Sequence, residues 1–195
     1  MMTFREFDSF IATSFDCLDS QMRERFSRME EIYKEWNSRI NVISRKDIDS
    51  IYDHHVLHSL SIAKYLESRR PQTYSRLTSE GGRIMDLGTG GGFPGIPLAI
   101  LFPRAGFTLC DSVGKKTLVA ARAAEALGLT NLKVVNERAE KIPSLETMAR
   151  LACALNTSLD YLVCGMRPRC DRENCHLYTD MEHLLKAFGF DKPTS

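Results

Sequence analysis

One stretch, Asp86-Leu87-Gly88-Thr89-Gly90-Gly91-Gly92-Phe93-Pro94-Gly95-Ile96-Pro97, constrains this chain more than any other. The apolar run before it, Arg83-Ile84-Met85-Asp86-Leu87, reads as a strand. Glycines at 88, 90 and 92 permit a tight turn and a close approach of backbone to ligand, because no Cβ stands in the way. Pro97 falls near the start of the apolar residues 98–102, where a proline in the first helical turn is tolerated. Strand, glycine turn and helix in this order predict an α/β fold and the nucleotide-binding corner of a Rossmann-like sheet.

Glycine spacing alone is a weak signal, but here an acid follows it. Residues 107–110, Phe-Thr-Leu-Cys, read as a second strand, and Asp111 closes it about 20 residues beyond the glycines, where a ribose-binding carboxylate belongs. Such a carboxylate can accept hydrogen bonds from both ribose hydroxyls, roughly 1.5–3 kcal/mol each because the acceptor is charged. A phosphate-bearing dinucleotide fits less well than S-adenosylmethionine. Pro94 and Pro97 remove two backbone donors from the turn. Asp86, just before the glycines, would repel a phosphate and suit a sulfonium or an amino group.

Four motifs together resemble one family. They are the stretch from Tyr33 through Trp36-Asn37 and Asn41 to Arg45-Lys46-Asp47, then His54-His55-Val56-Leu57-His58-Ser59-Leu60, then the glycine turn, then Asp111-Ser112-Val113-Gly114-Lys115-Lys116. In this order and spacing they are similar to ribosomal small-subunit methyltransferase G, over residues 22–140. His58 stands where many members carry Asp. The resemblance implies an S-adenosylmethionine-dependent methyltransferase fold and methylation of guanine N7 in 16S rRNA. It implies that Gly88, Gly90 and Gly92 with Asp111 hold the cofactor, and that Arg138-Ala139-Glu140, after a third strand at residues 132–135, flank the adenine. The implied partner is 16S rRNA or the small ribosomal subunit, met by Arg45 and Lys46.

That chemistry asks little of acid–base groups. Guanine N7 has a free lone pair and no proton to lose, so proximity and alignment do the work. No catalytic His or Glu is expected, and His54 and His55 read first as helix-terminus or packing residues and second as RNA contacts. Upstream, Met22, Phe26, Met29, Tyr33 and Trp36 recur at helical spacing and predict a core face. Arg23, Arg25, Arg28 and Arg39 around that face are either a solvated surface or phosphate contacts.

After Glu140 the pattern changes. Residues 141–165 resemble the last two helices of a phage-repressor type helix-turn-helix domain, with Leu145, Met148, Leu151, Ala152 and Leu155 on one face and a capping-box spacing at Thr157 and Asp160. The recognition helix that would enter the major groove has no counterpart, so specific DNA binding is not expected. A second account keeps one family throughout and reads residues 159–163 as a fourth strand after an inserted helix. On the first account the sheet is incomplete, and the first strand has an apolar, unpaired edge.

The resulting organisation is a helical segment at 1–71, a Rossmann-like cofactor part at 82–140, a helical segment at 141–165 and a tail at 166–195 with a last helix at 177–188. Residues 72–82, polar and ending in Gly81-Gly82, read as a linker. With a net charge of +1 over 195 residues, RNA binding must come from local clusters. No membrane span is expected, since the apolar run 96–102 is too short. The six cysteines read as reduced thiols of a cytoplasmic protein. Cys164, Cys170, Cys175 and His176 cluster near the end, but only Cys170 and Cys175 approach zinc-ligand spacing, and no metal is expected. Three readings follow: the rRNA methyltransferase, a non-catalytic cofactor-binding remnant or chimera, and a helix-turn-helix regulator, which the missing recognition helix disfavours.

Overall fold

The computed structural model describes residues 2–44 and 47–137. Helix α1 (Phe4–Ser14) begins at a capping box: Thr3 Oγ1 accepts the Glu6 amide, and the Glu6 carboxylate accepts the Thr3 amide at 2.8 Å. Two amides that the first helical turn leaves without partners are thereby satisfied. Helix α2 (Ser20–Arg39) starts on an Asp19 cap and buries Met22, Phe26, Met29 and Tyr33, so the apolar stripe is a core face. A 3-10 turn at Ile48–Ser50 and a π turn at Tyr52–Val56 lead into α3 (Leu57–Arg69). Phe7 stacks on Tyr52 at 4.9 Å and meets Phe26 edge-on at 5.5 Å, which locks α1 to α2 and the π turn.

Residues 72–82 are not simply a linker: most of them belong to helix α4 (Pro71–Ser79). Pro71 supplies a helical φ at the first position, Leu77 is buried, and Tyr74 packs edge-on against Phe102 at 5.7 Å. One turn of apolar contact is enough to hold a short polar helix to the core.

The Rossmann-like part then alternates strand and helix: β1 (Gly82–Leu87), α5 (Gly95–Leu101), β2 (Ala105–Asp111), α6 (Gly114–Ala126) and β3 (Leu132–Asn136). Its strands are parallel, in the order β1-β2-β3. Gly82 pairs with Ala105 and Leu87 with Cys110; Phe107 pairs with Leu132 and Asp111 with Asn136. Every residue of α5 is buried, because this helix lies between β2 on one side and α2 and α3 on the other. Helix α6 packs on β2 and β3 and also touches α2. Among the described residues β1 is an edge strand, and its Met85 and Leu87 are about half exposed, at 45 and 55 %. The readings placed on residues 141–195 lie outside the described residues.

Candidate functional site

Parallel register brings the carboxyl ends of β1 and β2 together, so Asp86 and Asp111 both border the glycine turn. This is where ligands bind in open α/β sheets. The turn is held from several directions. Gly88 and Thr89 both donate their amides to the Cys110 carbonyl, at 2.8 and 3.0 Å. Asp111 Oδ2 accepts the Gly90 amide and its Oδ1 accepts the Val113 amide, each at 2.9 Å. Asp86 Oδ2 accepts the Thr89 hydroxyl at 2.7 Å and the Gly95 amide at 3.0 Å. Burial pushes the Asp86 carboxyl above its ordinary range; the Thr89 and Gly95 bonds oppose this, and the Asp111 charge adds to it.

The glycines do different things. Gly88 and Gly90 adopt φ of +77° and +57°, and a Cβ on either would point into open space. Gly92, at φ +105°, faces inward, where a Cβ would stand 2.5 Å from Ile96 Cδ1 and 3.1 Å from Tyr33 Oη. Its identity is therefore explained by packing. Sequence reasoning missed Gly95, whose Cβ would lie 2.7 Å from Leu109 Cγ and 2.8 Å from Asp86 Oδ2. It also missed the part of Tyr33 that is not apolar: the buried hydroxyl donates to the Gly91 carbonyl at 2.7 Å. A hydroxyl on an otherwise apolar helical stripe was the available signal.

The arginines around α2 are engaged within the fold. Arg23 pairs with Asp8, and Arg39 with Glu35 at 3.0 Å. Arg25 donates to the Leu127 and Gly128 carbonyls at 3.1 and 3.2 Å, and Arg28 to the Ala126 carbonyl at 2.7 Å. Those carbonyls end α6, where a cation is also favoured by the negative end of the helix dipole. Each of these four arginines thus has a partner within the fold while staying at the surface.

Arg45, Lys46, Arg138, Ala139 and Glu140 lie outside the described residues. The chain around positions 45 and 46 is fixed on both sides. Asn37 Oδ1 accepts the Val42 and Ile43 amides at 2.9 Å, and its Nδ2 donates to the Ile43 carbonyl. Ser44 Oγ donates to Asp47, whose other carboxylate oxygen meets His54 Nδ1 at 3.0 Å. Val42, in the same loop, would touch a Cβ at Gly91 at 3.2 Å. His55 packs its ring 5.2 Å from Phe93, and its Nε2 is buried with no hydrogen-bond partner among the described residues. Both histidines therefore hold structure at the π turn.

Chemically the turn is rich in acceptors. The amides of Gly88, Thr89 and Gly90 all point to protein oxygens, and residues 94 and 97 are prolines without an amide hydrogen. Little remains to cradle a phosphate. A carboxylate beside an open backbone face instead favours hydroxyls and cationic groups. No helix of the described residues is long and apolar enough to cross a membrane.

A family model for rRNA small subunit methyltransferase G matches residues 22–162, continuing past Glu140. A protein of Porphyromonas gingivalis named ribosomal RNA small subunit methyltransferase G is 54% identical over 128 residues, covering 66% of this chain and 53% of the relative. Proteins of the same name from Bacteroides thetaiotaomicron and Bacteroides fragilis are 51 and 52% identical over 127 residues, covering 65% of this chain and 57% of each relative. The chain thus spans about half the length of the curated relatives it matches. With the glycine turn and the parallel sheet in place, these matches lead to one conclusion: the chain belongs to the rRNA small subunit methyltransferase G family.

Proposed function

We propose that this chain binds S-adenosylmethionine at the glycine turn and methylates N7 of a guanine in 16S rRNA of the small ribosomal subunit, in the cytoplasm. The observation that carries the reading is the open face over Gly88 and Gly90 beside the Asp111 carboxylate. A side chain at either glycine would fill the space a ligand needs. The relatives' names supply the substrate class.

The cofactor would supply an electrophilic methyl group on a sulfonium. Each Asp111 oxygen accepts one backbone amide and keeps a further lone pair for a ribose hydroxyl. Asp86 presents negative charge at the end of β1, where a sulfonium or amino group would relieve its burial. Gly88, Gly90 and Gly92 shape the turn, and Arg138, Ala139 and Glu140 flank the adenine. Arg45 and Lys46 meet RNA phosphates; Asn37 holds Val42 upstream of them, and Ser44 bonds Asp47. The acceptor nitrogen loses no proton, so no residue is assigned as a base. What the protein contributes is alignment of two reactants and exclusion of water. No specific DNA contact and no metal belong to this reading.

Calorimetric titration with S-adenosylhomocysteine, run beside Asp111→Ala, tests it. Wild type should bind and Asp111→Ala should not. Arg45→Ala should keep cofactor affinity and weaken binding of small-subunit RNA. Normal binding by Asp111→Ala would reject the site.

A further inference from the structure

The bonds that shape the glycine turn come mainly from β1 and β2 and the loops that follow them. Cys110, Asp111 and Asp86 hold residues 88–90 and 95, and the Gly92 and Phe93 amides return to the Thr89 carbonyl. The Gly91 carbonyl is served differently. Its partner is the hydroxyl of Tyr33, from the middle of α2 and 58 residues away in sequence. Burial raises the Tyr33 phenol far above its ordinary range, so it stays protonated and donates at any physiological pH.

The seat is specific. The tyrosine hydroxyl fits because position 92 lacks a side chain: a Cβ there would lie 3.1 Å from Tyr33 Oη, whereas one at Gly91 would make only ordinary contact with Cε1, at 3.8 Å. The same ring packs against Phe93, the next residue of the turn, at 4.8 Å between centroids. Tyr33 therefore contacts the consecutive residues 91, 92 and 93.

We infer that Tyr33 is a positioning residue for the cofactor: its hydroxyl holds the Gly91 carbonyl inward and so keeps the Gly88–Gly90 face in its open, ligand-accepting shape. The inference rests on the proposed cofactor site. It makes α2 part of that site. Without the hydroxyl the buried Gly91 carbonyl has no donor among the described residues, and the turn gains from rotating that peptide toward water. The fraction of molecules with the open face falls, and the apparent affinity falls with it.

The test compares Tyr33→Phe with Tyr52→Phe. Tyr52 is also a buried tyrosine whose hydroxyl donates to a backbone carbonyl, that of Phe26 at 3.0 Å, but it lies in the helical layer away from the turn. Melting temperature and S-adenosylhomocysteine affinity are measured for both variants, the latter at a temperature where each is fully folded. Both should melt a few degrees lower. Tyr33→Phe alone should bind S-adenosylhomocysteine about five- to 150-fold more weakly, the range one unmet buried carbonyl spans. Equal affinity in Tyr33→Phe and wild type would overturn the inference while leaving the cofactor site intact. Equal weakening in Tyr52→Phe would also overturn it, since the effect would then be general loosening. A folded wild type that binds no S-adenosylhomocysteine would instead overturn the cofactor reading on which the inference stands.

Discussion

Gly90→Ala and Gly92→Ala should fail in opposite ways, although both replace a glycine of positive φ in one turn. At position 90 the backbone sits at φ +57°, inside the left-handed helical region, and the new methyl meets nothing within 4 Å. The cost is the left-handed penalty of about 1–2 kcal/mol, less about 0.4–1 kcal/mol regained from a stiffer unfolded chain. Net destabilisation should be about 1 kcal/mol, or roughly 2–4 °C in melting temperature for a chain of this size. The methyl would project into the space assigned to the ligand, so S-adenosylhomocysteine affinity should fall at least about tenfold. At position 92 φ is +105°, outside the left-handed helical region, and a Cβ would stand 2.5 Å from Ile96 Cδ1. Backbone strain of about 1–3 kcal/mol and overpacking of about 1–3 kcal/mol act together there. Gly92→Ala should therefore lose several kcal/mol of stability, seen as a lower urea midpoint. Thermal and urea unfolding beside calorimetric titration give both quantities for each variant. If Gly90→Ala binds S-adenosylhomocysteine as wild type does, the open face over the turn is not where the ligand sits. If Gly92→Ala is the more stable of the two, the packing account of Gly92 is wrong.

Two further outcomes follow from groups outside the turn. Replacing Arg25 and Arg28 together by Ala should cost about 1–2 kcal/mol in urea unfolding, since their bonds end α6 at a partly exposed place; a matching loss in small-subunit RNA affinity would restore the phosphate-contact role. Burial, aided by the His54 and His58 charges and opposed by Asp47, holds the His55 pKa below the ordinary histidine value. Between that lowered value and about 6.5, where the unfolded chain titrates, the unfolded state binds more protons, so stability rises with pH there. It is complete above about pH 6.5 and lost as pH falls through the folded value. His55→Asn should flatten that part of the melting-temperature profile, and an unchanged slope would assign it to another group.

Much of the candidate site's geometry was legible because its signals are local. Asp86, the glycines and Asp111 lie in two short stretches, and the parallel α/β alternation brings those stretches together. The stripe on α2 was legible by its period. What escaped is what depends on distant contact. Tyr33 reads as one more apolar position until the fold sets its hydroxyl against Gly91. Arg25 and Arg28 read as surface charge until α6 ends beneath them. The α1 capping box, Thr3 with Glu6, is by contrast a local four-residue signature. Helix α4 was hidden because its composition is polar and only Leu77 is buried.

The Arg25 and Arg28 bonds also set an order of events during synthesis. They join residues 98 to 103 positions apart. Translation at about 5–20 residues per second leaves α2 waiting roughly 5–20 s after its own emergence before the end of α6 exists to receive it. For most of that interval the apolar stripe of Met22, Phe26, Met29 and Tyr33 has α1 beside it, with α5 and then α6 still to come. The nascent chain thus exposes an apolar face early and far from its closing contact, the situation in which a chaperone that shields apolar helices shortens the search.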